Sequence, residues 1–180
     1  VIVSDNGSGM DDEKLQGAFS LGNIQLRSRK KGDTGKFGIG GTLSALCHYD
    51  KKETFTLSSD GELLCRAYDM QKVEEVNEWH SFPVQVGEEA EKFFRTFQGN
   101  NKTGTTIRLT SPRRRKRLRN TISSAKQILS QKYYNDINRK DLTITLNGEV
   151  IEAACPVMAD HVDAKVAKKK VSFEGQSCTV

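Results

Sequence analysis

The stretch Val1-Ile2-Val3-Ser4-Asp5-Asn6-Gly7-Ser8-Gly9-Met10, residues 1–10, reads as a short buried strand, Val1–Ser4, that runs into the turn Asp5-Asn6-Gly7. A carboxylate at the end of a strand can accept a hydrogen bond from an exocyclic amine. Gly7 and Gly9 let the backbone pass close to a flat ring, and the polarizable side chain of Met10 can pack against it. Those are the requirements of an adenine pocket. Alone, the segment reads more simply as a turn capped by its own aspartate.

Two further stretches change the weighing. Gly35-Lys36-Phe37-Gly38-Ile39-Gly40-Gly41 leads into a helix expected over 38–49, with apolar residues Ile39, Leu43, Leu46 and Cys47. Successive glycines let backbone N–H groups converge on an anion, the helix N-terminus adds about half a positive charge, and Lys36 can supplement it. Gly104-Thr105-Thr106-Ile107-Arg108-Leu109 reads as a strand whose Thr105 hydroxyl, beside a carboxylate, can share a purine edge.

The rest of the chain supplies a frame. A short helix is expected over Asp12–Phe19, with acidic residues in its first turn, and a polar, basic loop over 20–36. Asp60-Gly61 marks a tight hairpin between Glu53–Ser59 and Glu62–Met70. Residues 71–87 are undecided, with Trp79, Phe82, Val84 and Val86 hinting at a strand. An amphipathic helix is expected over Glu88–Gln98 and a long helix from Arg114 to about Asn138. A second hairpin turns at Asn147-Gly148, and the tail from Val171 can begin another strand. Helices among antiparallel hairpins predict an α+β fold: a two-layer sandwich of a mixed, mostly antiparallel sheet with helices on one face. The GxGxxG and GxxxxGK[ST] phosphate loops are absent.

Composition narrows the function classes. The chain has 180 residues and a formal net charge of +5. Six of its 28 basic residues lie in Arg113–Arg119, and without them 22 basic residues face 23 acidic ones. That run is a candidate for non-specific nucleic-acid binding or nuclear localisation, although no aromatic residue is interleaved to stack on bases. The four cysteines (Cys47, Cys65, Cys155, Cys178) form no CxxC pair, and no apolar run of membrane length is present. A cytoplasmic setting is expected, with a nuclear one as the alternative, and no membrane partner. No helical motif accompanies His48, His80 or His161.

Taken together and in this order, the three glycine-bearing motifs resemble the GHKL, or Bergerat-fold, ATPase superfamily of gyrase B, the ninety-kilodalton heat-shock chaperones, sensor histidine kinases and MutL. Residues 5–10 match its adenine-binding DxGxG motif, residues 34–41 its glycine motif, and residues 104–109 its Gly-Thr strand. The resemblance implies ATP with Mg²⁺ as ligands. It gives Asp5 the adenine amine, and it puts Gly7, Gly9 and Met10 along the base. Gly35, Lys36, Phe37, Gly38, Ile39 and Gly40 wrap the phosphates, Thr105 lies beside Asp5, and residues 20–36 form a lid. The long spacing from Gly41 to Gly104 is nearest the chaperone, MutL and MORC branches.

Two departures stand out. Gly41 occupies a position where the family carries a large apolar residue. The family's helix with a catalytic Glu and a Mg²⁺-binding Asn precedes the first motif and is not identifiable here. The chain is therefore expected to be a fragment, inactive by itself, of an ATPase that works by nucleotide-gated closure, with homodimerisation as the expected consequence. The expected division is an ATP-binding domain over 1–118, a connecting helix over 119–140, and the start of a transducer-like domain over 141–180. The competing readings are a non-hydrolysing nucleotide-binding module, a histidine-kinase catalytic domain and a nucleic-acid-binding ATPase.

Overall fold

The computed structural model of the chain describes residues 1–20, 40–113, 118–155, 170–173 and 176–179. It falls into two units, Val1–Arg115 and Lys116–Val180.

The first unit is organised by the Asp60-Gly61 hairpin. β2 (Tyr49–Leu57) and β3 (Leu63–Asp69) pair antiparallel from Lys51↔Asp69 to Leu57↔Leu63. Gly61 turns the chain at φ +81°, where glycine carries no steric cost. β5 (Gly104–Pro112) pairs with the other edge of β2, and β1 (Ile2–Asp5) pairs with β5. The two-residue β4 (Phe82–Pro83) flanks β3, and its proline is tolerated because the strand lies at the edge. The order is β1-β5-β2-β3-β4, with every pairing antiparallel. β1 is not the buried strand expected of its apolar residues. It lies at the opposite edge, with Val1 61 % and Val3 55 % exposed, because in this sheet order β5 is its one strand neighbour.

Paired residues on neighbouring strands share a face, and both faces are used. On one, α1 (Asp12–Phe19) and α2 (Gly40–Leu46) cover Tyr68, Leu64 and Leu109, with Leu15, Phe19 and Ala45 at the centre of the cluster. Asp11 caps α1 by accepting from the Lys14 N–H. The indole of Trp79 closes this cluster by donating to the Phe19 carbonyl at 3.1 Å. This is the helical layer the sequence predicts. On the other face, α4 (Glu88–Gln98) packs Phe94 against Phe55, Leu57 and Cys65. Burying such a phenylalanine contributes about 1.5–3 kcal/mol. Phe93 packs beside it, whereas Phe97 is exposed. Helices thus lie on both faces of the α+β sheet, because the central strands bury side chains on both.

Three local expectations change. α2 is shorter than 38–49, and it buries Thr42 and Ala45 rather than Leu43 and Cys47, which are exposed. Small residues let it approach α1 closely, and the Thr42 hydroxyl donates to the Ala18 carbonyl at 2.7 Å. The undecided stretch holds α3 (Met70–Val76), capped by the Asp69 carboxylate and ended by Asn77 at φ +52°. The long helix is divided at Tyr133 into α5 (Leu118–Lys132) and α6 (Tyr134–Asn138).

The second unit also contains β6 (Thr145–Leu146) and β7 (Glu149–Val150), joined through Asn147 and Gly148 at φ +52° and +87°. Both angles suit the tight turn that an Asn-Gly pair signals. Ile151, just after β7, is buried. β8 (Lys170–Phe173) and β9 (Gln176–Thr179) form a further hairpin. Among the described residues no helix is long and apolar enough to cross a membrane.

Candidate functional site

Asp5 ends β1 opposite Thr105, and Thr105 in turn faces Thr56 of β2. These three side chains share the face that α1 and α2 cover. Asp5 is exposed, and its Oδ1 accepts the Gly7 N–H at 2.9 Å. It therefore does cap its own turn, and a Cβ on Gly7 would stand 2.8 Å from that oxygen. One carboxylate oxygen is spent on the turn. No hydrogen bond from a described residue is recorded to Oδ2.

Gly9 is required by its neighbours. Its φ is +68°, and a Cβ there would lie 2.0 Å from the Leu57 carbonyl oxygen. The backbone it brings close is thus the end of β2. One residue later the Met10 N–H donates to the Thr56 hydroxyl at 2.8 Å, while the Met10 side chain packs against the α1–α2 cluster. Thr56 is fully buried, 3.4 Å from both the Gly104 carbonyl and the Thr105 hydroxyl. One hydroxyl therefore connects the first motif to the third. The alternation of β2 hides it: Phe55 and Leu57 are buried on one face, and Thr54 and Thr56 are buried on the other.

Gln98, the last residue of α4, was also missed. Its Nε2 lies 2.7 Å from the Asp5 carbonyl, 2.8 Å from Ser4 Oγ, 3.1 Å from the Thr105 carbonyl and 3.3 Å from Thr106 Oγ1. A polar residue one turn beyond Phe94, on the buried seam of an amphipathic helix, is the signal that would have found it.

Further along the same face of β2, Lys52 is 4 % exposed. Its burial pushes the ammonium pKa down to about 8. Thr54 Oγ1 and Arg66 Nε, on paired positions of β2 and β3, are buried without a hydrogen-bond partner among the described residues. The interior beneath the helical layer is therefore polar along β2 as well as apolar around Tyr68.

Of the predicted phosphate-binding residues, Gly35, Lys36, Phe37, Gly38 and Ile39 lie outside the described residues. Gly40 is the exposed first residue of α2, on the same side of the sheet as Asp5 and Thr105. In the basic run, Arg113 is engaged by Asp50 at 2.7 Å, and residues 114–117 are outside the description. Among the described residues no cluster of three or more His, Cys, Asp or Glu could hold a metal ion.

The family model described as "Histidine kinase-, DNA gyrase B-, and HSP90-like ATPase" matches residues 1–105. The matched span runs from β1 to Thr105 and covers more than half of the chain. No curated protein matches.

Proposed function

The chain belongs to the histidine kinase-, DNA gyrase B- and HSP90-like ATPase family, and from that premise we propose that Asp5, Thr105 and Met10 form the adenine end of its ATP site. The observation that supports this reading is the Asp5–Thr105 cross-strand pair, with Thr56 of β2 joining Met10 to β5. Asp5 Oδ1 keeps the turn closed while Oδ2 accepts the adenine amine. Guanine presents a carbonyl where adenine presents that amine, and a buried mismatch of this kind costs roughly 1–3 kcal/mol. The Thr105 hydroxyl shares the purine edge, directly or through water.

In the same reading Gly35 to Gly40 hold the phosphates, with the start of α2 directed toward them. Nucleotide binding biases the protein toward a closed form, and that shift is read out as conformational change or dimerisation. Mg²⁺ would neutralise phosphate charge when bound. Asp5, Thr105 and Met10 orient the base.

The test is Asp5→Asn in the full-length protein. The amide oxygen can still accept the Gly7 N–H, so the turn and the fold persist, while an NH₂ group meets the adenine amine donor to donor. Affinity for a non-hydrolysable ATP analogue falls by at least about tenfold. Unchanged affinity in a folded variant overturns the assignment.

A further inference from the structure

We infer that Gln98 is the positioning residue of the adenine site, an inference that rests on the reading of Asp5 and Thr105 just given. Its side chain reaches the sheet from the face opposite to the site. The Nε2 group has two protons and four acceptors within 3.3 Å, and the closest are the Asp5 carbonyl at 2.7 Å and Ser4 Oγ at 2.8 Å. The Asp5 and Thr105 carbonyls thus converge on one donor group. It ties together the ends of the two strands whose side chains meet the purine.

Two neighbours show that this arrangement is built. Asn101 Nδ2 donates to Gln98 Oε1 at 3.2 Å, which fixes the amide with its NH₂ toward the strands. At Gly104 a Cβ would stand 2.5 Å from the Asp5 carbonyl oxygen and 2.6 Å from Gln98 Oε1. The glycine of the Gly-Thr motif therefore leaves room for the Gln98 side chain. Gln98 is 4 % exposed, so water does not replace its amide at little cost. Hydrogen bonds weaken steeply with misalignment, and loosening the β1–β5 junction by a fraction of an ångström displaces the Asp5 acceptor relative to Thr105.

A residue that only held the fold together would change the binding of all nucleotides alike. A positioning residue changes base discrimination. The experiment measures affinities of the imido analogues of ATP and GTP, with melting temperature, for Gln98→Met, Asn101→Ala, Phe94→Leu and Asp5→Asn in the full-length protein. Gln98→Met keeps the volume and removes the donor. It is expected to weaken the ATP analogue about tenfold and the GTP analogue by less than twofold. Asn101→Ala frees the amide to rotate and lowers the ATP-to-GTP preference by a smaller factor, so it carries the test if Gln98→Met does not fold. Phe94→Leu loosens α4 without touching the amide, and lowers melting temperature with the preference intact.

A preference unchanged in both Gln98→Met and Asn101→Ala, while Asp5→Asn abolishes it, overturns the role of Gln98 and leaves the site standing. A preference unchanged in Asp5→Asn as well overturns the site and, with it, this inference.

Discussion

The Lys52 ammonium lies 4.5 Å from the centroid of the Phe19 ring, buried on β2 with a π face over it and no described carboxylate in contact. The cation–π contact offsets part of the cost of taking a charge out of water, and the remainder lowers the pKa from 10.5 to about 8. Below pH 8 both folded and unfolded chains carry the proton, and the folded state bears the full penalty, up to about 3 kcal/mol. Between pH 8 and 10.5 the unfolded chain binds the extra proton, so this residue makes stability rise with pH. Burial pushes the Cys65 thiol and the Tyr68 phenol up to about 12, and these act in the opposite sense above pH 9 and 10. We expect Lys52→Met to raise the melting temperature at pH 7. It should also remove the rising limb of denaturation free energy between pH 8 and 9. A variant with the wild-type pH profile would show that Lys52 keeps an ordinary lysine pKa in the folded chain and carries no burial penalty.

Gly9→Ala should be among the most damaging single-methyl additions in the first unit. The new Cβ would stand 2.0 Å from a main-chain oxygen of Leu57, at a φ of +68°. Neither partner is a flexible side chain, so β2 or the turn must move. The cost is at least about 2 kcal/mol, read as a lower urea midpoint. Gly61→Ala, where a Cβ meets nothing within 4 Å at φ +81°, costs only the backbone strain of about 1 kcal/mol. Equal costs at the two sites would refute the close-packing account of Gly9.

The difference between these glycines also separates what the sequence reveals from what it hides. Asp60-Gly61 and Asn147-Gly148 are legible because a tight turn is local chemistry. α1 and α4 have the bounds their spacing predicts because caps and a 3.6-residue period are local as well. The exposure of β1 is not legible. It depends on β1 being the strand beyond β5, and no property of Val1–Ser4 encodes that order. The cross-strand meeting of Asp5 and Thr105, a hundred residues apart in the chain, followed from the family resemblance and not from either residue. Thr56 and Gln98 were hidden because each is a polar side chain on a packed surface, where pattern alone predicts an apolar one.

Arg108 joins Glu53 through two parallel hydrogen bonds of 2.6 and 2.8 Å and lies 4.5 Å above the Phe93 ring. This pair spans β5 and β2 on the α4 face, away from the proposed nucleotide. Lysine can keep the charge, but not the planar fork or the stacking. Arg108→Lys is expected to cost about 1 kcal/mol of stability, seen in chemical denaturation. Nucleotide affinity in the folded variant should be unchanged. A large loss of affinity would show that the α4 face communicates with the opposite side of the sheet through more than Gln98.

Thr56→Val tests the joint between the motifs. Valine has the shape of threonine, so the packing around a fully buried residue is conserved and only the hydroxyl is lost. The Met10 N–H, which donates to that hydroxyl at 2.8 Å, is then left without its acceptor, at a cost of about 1–3 kcal/mol. Thr56→Ser restores the acceptor and loses a methyl group, about 1 kcal/mol of burial. The two variants therefore separate in function more than in stability. With valine, the loop from Gly7 to Met10 is no longer tied to β2, and affinity for an ATP analogue falls together with the urea midpoint. With serine the midpoint falls while affinity holds. If serine and valine weaken nucleotide binding equally, packing at this position and not the Met10 hydrogen bond is what the site requires.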